Sequence, residues 1–244
     1  MIKFILSLLL PVLIYPIVNT EALRNFNHVT GLGQNFDLTL NLDRGNKHKS
    51  GADLAYRLDY KESYYSHFFV LNYSIDKDSG SIDVNKGFLH GRFVFAMSSL
   101  CHEYFIQEEY DANIDLRYRR LAGLGARFYF FDSAIYQLYG GIGVFVEEEA
   151  YDELDQKINT RLSTYLSTTK RVSSAVQYTN TSYFQPAFSD IRNFRIFSVH
   201  DFSYQVSDFL SLSFDLTFKL DNKPYKNSLK KEDISFSQRF SFSF

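Results

Sequence analysis

A chain of 244 residues with a formal net charge of −2 has no basic excess of the kind that nucleic-acid binding needs. Its mean hydropathy of −0.22 excludes a polytopic helical membrane protein. Aromatic residues make up 18%, with 25 Phe, 18 Tyr and no Trp, and this composition leans toward strands.

The first segment stands apart. MIKFILSLLLPVLIYPIVNTEA (1–22) starts with Lys3, runs apolar from Phe4 to Val18, and places Thr20 and Ala22 at a cleavage site. This is the build of a secretory signal peptide, which directs export and is removed. No Cys follows the apolar run, which excludes a lipid on a mature N-terminal Cys. Residues 23–34 form a short lead-in. The single cysteine, Cys101, has no partner for an internal disulfide and is expected to be a buried or turn residue.

From Asn35 onward the dominant period is two. Twelve strands are predicted, near 35–43, 51–61, 64–75, 87–97, 101–110, 114–131, 134–148, 157–168, 171–184, 191–205, 208–220 and 232–244. FDLTLNLD (36–43) alternates Phe and Leu with Asp, Thr and Asn, and LSLSFDLTFKL (210–220) does the same. Alternation is blurred in 64–75, 87–97 and 171–184. No helix of useful length follows the signal peptide. Several segments reach the roughly ten residues that a tilted strand needs to cross a bilayer.

The connections read as alternately short and long. Short ones fall at 61–63, 98–100, 131–133, 168–170 and 206–208. Longer ones fall at 44–50, 76–86, 147–156, 185–191 and 221–231, with 111–113 short where a long one is expected. Hairpins whose two ends differ in this way fit a bacterial outer-membrane barrel. Pro186 and Pro224 both fall in the longer links, clear of the ladders.

The expected fold is therefore all-β: a transmembrane, antiparallel up-and-down β-barrel of about twelve strands over 35–244. The apolar face turns to lipid and the polar face inward. The predicted lumen lining includes Asp53, Arg57, Asp59, Arg92, Glu103, Asp115, Arg117, Arg119, Arg127, Glu147, Arg161, Arg195, Asp215 and Arg239. Its basic members are almost all Arg, the side chain suited to bidentate pairing with carboxylates in confined space. Most Lys residues instead fall in the longer links. Arg120 and Glu108 fall on the apolar face, where they belong near an interface or mark a bulge.

The quoted stretches LNLDRGNKHKSGADLAYRLDY, EEYDANIDLRYRRLAGLGARFY and LYGGIGVFVEEE occur in the order and spacing of a known family. On them the chain resembles DUF481, uncharacterised outer-membrane proteins of Gram-negative bacteria. The aromatic residues Phe240, Phe242 and Phe244 at the end of the last strand resemble the assembly signal of such barrels. That resemblance implies bacterial outer-membrane localisation and recognition by the barrel assembly machinery during insertion.

No motif points to chemistry. GLG (123–125) and GGIG (140–143) lie in strands, not before a helix, which disfavours a phosphate cradle. No His pair has metal-ligand spacing, no cofactor motif is present, and no catalytic residues are assigned. His90 and His200 could serve as bases beside a serine, but no GxSxG or comparable arrangement accompanies either. EEEAYDELD (147–155) reads as a solvated acidic loop. Lys223, Lys226, Lys230 and Lys231 are placed to meet lipopolysaccharide phosphates. Three functions stay open: a narrow porin-like channel for small solutes, a closed structural or interaction barrel with a salt-bridged interior, and a lipid-modifying enzyme.

Overall fold

A computed structural model describes residues 30–44, 48–97, 100–152, 154–224 and 230–242. The predicted signal peptide (1–22), residues 23–29 of the lead-in and Phe244 lie outside the described residues, as do the side chains of Arg239 and Phe242.

Twelve strands follow in chain order: β1 (Gly31–Asp43), β2 (Lys49–Lys61), β3 (Tyr65–Asp78), β4 (Ser81–Met97), β5 (Leu100–Asp111), β6 (Leu116–Asp132), β7 (Tyr136–Tyr151), β8 (Lys157–Arg171), β9 (Val176–Ala187), β10 (Asp190–Ser207), β11 (Leu210–Asp221) and β12 (Glu232–Phe242). Each is hydrogen bonded to its neighbours in sequence, so the sheet order runs from β1 to β12 without a crossover. The registers of β1 to β5 and of β9 to β12 are antiparallel. The fold class is the expected one: all-β, twelve antiparallel up-and-down strands. β1 begins inside the predicted lead-in, at Gly31.

The strands divide into two compact units. One comprises Leu23–Ala126 with Gly143–Arg161, the other Arg127–Ile142 with Leu162–Phe244.

Three expectations about the connections are corrected. The predicted link 76–86 is a two-residue turn, Ser79–Gly80. Both residues have positive φ (51° and 89°), the conformation that two-residue hairpins require and that Gly adopts without strain. The predicted link 185–191 is likewise short, with only residues 188–189 between β9 and β10. Pro186 therefore lies in β9, opposite Phe194, where the register shifts between Asp190 and Phe194. A bulge accommodates a residue that has no N–H to donate. Lastly, EEEAYDELD is not a solvated loop. β7 continues to Tyr151, and Glu147 and Glu149 are fully buried. Lys49, Lys77, Lys86 and Lys157 also lie in strands instead of links.

The two faces of the sheet are inverted relative to a soluble sandwich. On β7, Phe145, Glu147 and Glu149 are buried, while Ile142, Val144 and Val146 between them are exposed. On β1, Phe36, Leu38, Leu40 and Leu42 are all exposed, Leu40 by 71%. On β7 the buried face thus carries charge beside aromatic rings, and the opposite face leaves its aliphatic side chains bare.

Candidate functional site

The buried polar face is built from side chains two residues apart along the middle strands. In the first unit, Arg119 on β6 is the hub. Its Nη1 donates to Glu109 on β5 (2.8 Å), and its Nη2 and Nε donate to Glu147 on β7 (2.8 and 3.0 Å). Glu149 lies 3.2 Å from its Nε. The other oxygen of Glu147 accepts from Arg161 on β8. Arg119 is 2% exposed, Arg161 1% and Glu147 0%. Two guanidiniums and three carboxylates thus share one dry cluster. Burying such ions singly would cost several kcal/mol each, and mutual pairing offsets that.

A second group surrounds Arg92. It pairs with Glu103 at 3.3 Å and stands over the rings of Phe68 (6.0 Å) and Phe105 (5.5 Å). Arg57 lies 4.9 Å from the Phe68 centroid and forms a two-point pair with Asp59. The aromatic rings on the polar face are therefore platforms for guanidinium groups. They also explain the blurred alternation of 64–75: Phe68 and Val70 point to the buried face, so both faces of β3 are partly apolar. His90 is 0% exposed, sits against Phe68 and Phe88, and is 3.2 Å from Gln107. That is a packed histidine among partners, not a base facing a substrate.

In the second unit, Arg127 is 0% exposed and lies between two tyrosines, 4.5 Å from the Tyr139 centroid and 5.6 Å from that of Tyr165, with Nε donating to Tyr165 Oη (2.9 Å). Gly141 makes this possible, because a Cβ there would fall inside the Tyr165 ring. Gly123 serves Phe105 and Phe145 in the first unit in the same way, at 2.5 and 2.6 Å from its missing Cβ. In the glycine segments that look like phosphate loops in the sequence, Gly123 and Gly141 leave room for aromatic side chains, and Gly143 lets the strand backbones at Leu124 and Gly125 approach closely. Arg195 pairs with Asp221 at 2.8 Å.

The other predicted lining residues are placed differently. Asp115 sits in the turn after a single 3₁₀ segment, Ala112–Ile114, in the left-handed region (φ 57°). Arg117 is exposed and faces Asp152 at 3.9 Å, so it belongs to the strand end and not to the buried cluster. Asp53 and Asp215 are only half-buried. Glu149, which the sequence places in the link 147–156, joins this face, and the Glu147-x-Glu149 spacing in an alternating strand is the signal for it. The outlying pair Arg120 and Glu108 lies on the exposed face, and the two bond to each other at 3.0 Å, with Arg120 4.5 Å from the Tyr118 centroid.

Among the described residues no helix is long and apolar enough to cross a membrane, and no cluster of His, Cys, Asp or Glu is arranged to hold a metal ion. Cys101 is buried.

This combination defines the class: an up-and-down antiparallel β fold with a paired, buried charged face and a bare apolar one. The chain belongs to the DUF481 family, proteins of unknown function, whose pattern matches residues 36–244. No curated protein matches it. Among solved structures, a NanC porin is 9% identical, with a TM-score of 0.48, over 81% of this chain and 97% of the porin. The beta domain of the Bordetella autotransporter BrkA is 12% identical, with a TM-score of 0.37, over 87% of this chain and 98% of that domain.

Proposed function

We propose that the chain is an integral outer-membrane β-barrel whose twelve strands close on themselves, with the apolar face in lipid and the interior propped by the arginine–carboxylate network. The observation that carries this reading is the inversion of burial: Glu147, Arg119 and Arg161 are dry while Leu40, Val144 and Val146 are bare. In water such an apolar surface would drive aggregation. In a bilayer it is the favoured face, and closure leaves no strand edge unpaired. Outer-membrane lipid, including lipopolysaccharide, is then the surrounding partner, and the assembly machinery reads the aromatic end that includes Phe240.

A filled interior makes this a closed, mechanically stiff barrel. A second reading, a narrow channel for small solutes, is favoured by the polar face of β1, β2 and β11, where Asp37 is exposed and Asp53 and Asp215 are half-buried. One experiment separates the two. The mature chain is refolded, its compact heat-modifiable form is checked on an unheated gel, and single-channel current is recorded in a planar bilayer. Silence from folded protein supports the filled barrel. Reproducible steps that change with Asp53→Ala or Asp215→Ala support the channel.

A further inference from the structure

The exposed face of β9 and β10 carries a polar cluster where apolar residues are expected. Ser198 and His200 stand two apart on β10, and the ladder pairs them with Ser182 and Asn180 on β9. Their neighbours on this face, Phe184, Phe202 and Leu216, are all exposed. Ser198 Oγ is 3.1 Å from His200 Nε2, and His200 Nδ1 is 2.8 Å from Tyr178 Oη. Asn180 Nδ2 donates to Val199 O (3.0 Å) and to Ser198 Oγ (3.3 Å). Ser182 Oγ lies 2.7 Å from Ser198 Oγ.

Polar and ionisable side chains on a bilayer-facing surface are costly and mark function. This group has the parts of a serine acyl-transfer site: a nucleophile within reach of a base, and a third group holding the base. We propose that Ser198, His200 and Asn180 form a bilayer-facing catalytic site that hydrolyses carboxylic esters of membrane lipids. The proposal rests on the reading that this face meets lipid.

With the proton on Nδ1, His200 donates to Tyr178 Oη, and Nε2 accepts the proton of Ser198. The Ser198 oxygen then bonds to the ester carbonyl carbon, and the carbonyl electron pair moves to oxygen. Asn180 Nδ2, already beside Oγ, is placed to donate to that oxyanion. Collapse breaks the carbon–alkoxide bond, and His200 returns its proton to the departing lipid hydroxyl. Water, deprotonated by His200, attacks the acyl-serine and releases a fatty acid, and the proton returns to Ser198.

The test uses the full refolded chain with a long-chain alkyl fluorophosphonate, read by mass spectrometry, and with phosphatidylethanolamine vesicles, read by fatty-acid release. The expected result is one adduct, on Ser198, and ester cleavage that falls at least ~10³-fold in Ser198→Ala. Cleavage persists in Ser182→Ala. Tyr178→Phe, a positioning change, slows cleavage and moves the acid limb of the pH–rate profile. In parallel, a fluorophore at Leu216→Cys in a Cys101→Ser background reports quenching by brominated lipid. Quenching with no adduct and no fatty acid overturns the site while the membrane reading stands. No quenching overturns both. A dimer that dissociates on Ser198→Leu, without hydrolysis, makes the patch a contact between copies and also overturns the proposal.

Discussion

Arg119 Nη2 and Glu147 Oε2 meet at 2.8 Å, across 28 residues of sequence, with neither side chain more than 2% exposed. The pair joins adjacent strands on the face that excludes solvent. Removing Glu147 takes a carboxylate from two buried guanidiniums at once, Arg119 and Arg161, and leaves the dry cluster with Glu109 and Glu149 beside Arg119. Glu147→Ala is therefore expected to destabilise the folded chain by ~3–5 kcal/mol. Equilibrium urea unfolding in detergent, followed by intrinsic tyrosine fluorescence and by the heat-modifiable band, measures it.

The ion pair between Arg120 and Glu108 is the control. Its geometry is as good, at 3.0 Å, but both side chains are about half exposed. Arg120→Ala is expected to change stability by no more than ~1 kcal/mol, because the pair sits near the strand ends at Leu116 and Asp111, where the exposed face reaches headgroups and water and such pairs contribute little. The same unfolding series reads it, and the contrast with Glu147→Ala isolates burial as the cause.

Gly141 is a steric requirement of the Arg127 site. Gly141→Val places its side chain in the Tyr165 ring. It should displace Tyr165, break its bond to Arg127 Nε and lower the yield of the heat-modifiable form. Adding Tyr165→Ala to Gly141→Val clears the space and is expected to recover part of that yield, although the bond from Arg127 Nε to Tyr165 stays lost.

Much of the fold is legible in the sequence because period-two alternation is a local signal. Every predicted strand is present among the described residues, with ends moved by up to six residues. The connections are less legible, since charge at a strand end resembles charge in a loop. Glu147 and Glu149 show why: their partners Arg119 and Arg161 lie on other strands, and composition alone makes EEEAYDELD look solvated. Pro186 misleads in the same direction, because a bulge that tolerates proline leaves no sequence mark. The network itself is half legible. Arg119, Arg127, Glu147 and Arg161 could be assigned to one face, but their pairing depends on the order of β5 to β8. The segment 171–184 is blurred for a different reason: β9 carries Tyr178, Asn180 and Ser182 where its apolar face should be. That irregularity is the local trace of the cluster around His200.

Lipid exposure should also be sensitive to charge in a graded way. Val144→Arg, on the bare face of β7, is expected to cost ~2–4 kcal/mol of stability in a bilayer if it lies near the midplane. Reversible unfolding in lipid vesicles, compared with the parent chain, gives the value.

The central claim is that the two faces of the strands meet opposite environments, and β7 tests it most directly. Single cysteines at positions 142 to 147, in a Cys101→Ser background, would carry a small fluorophore in vesicles containing brominated lipid. The account predicts strong quenching at 142, 144 and 146 and little at 143, 145 and 147. Uniform quenching, or quenching strongest at the odd positions, would contradict it.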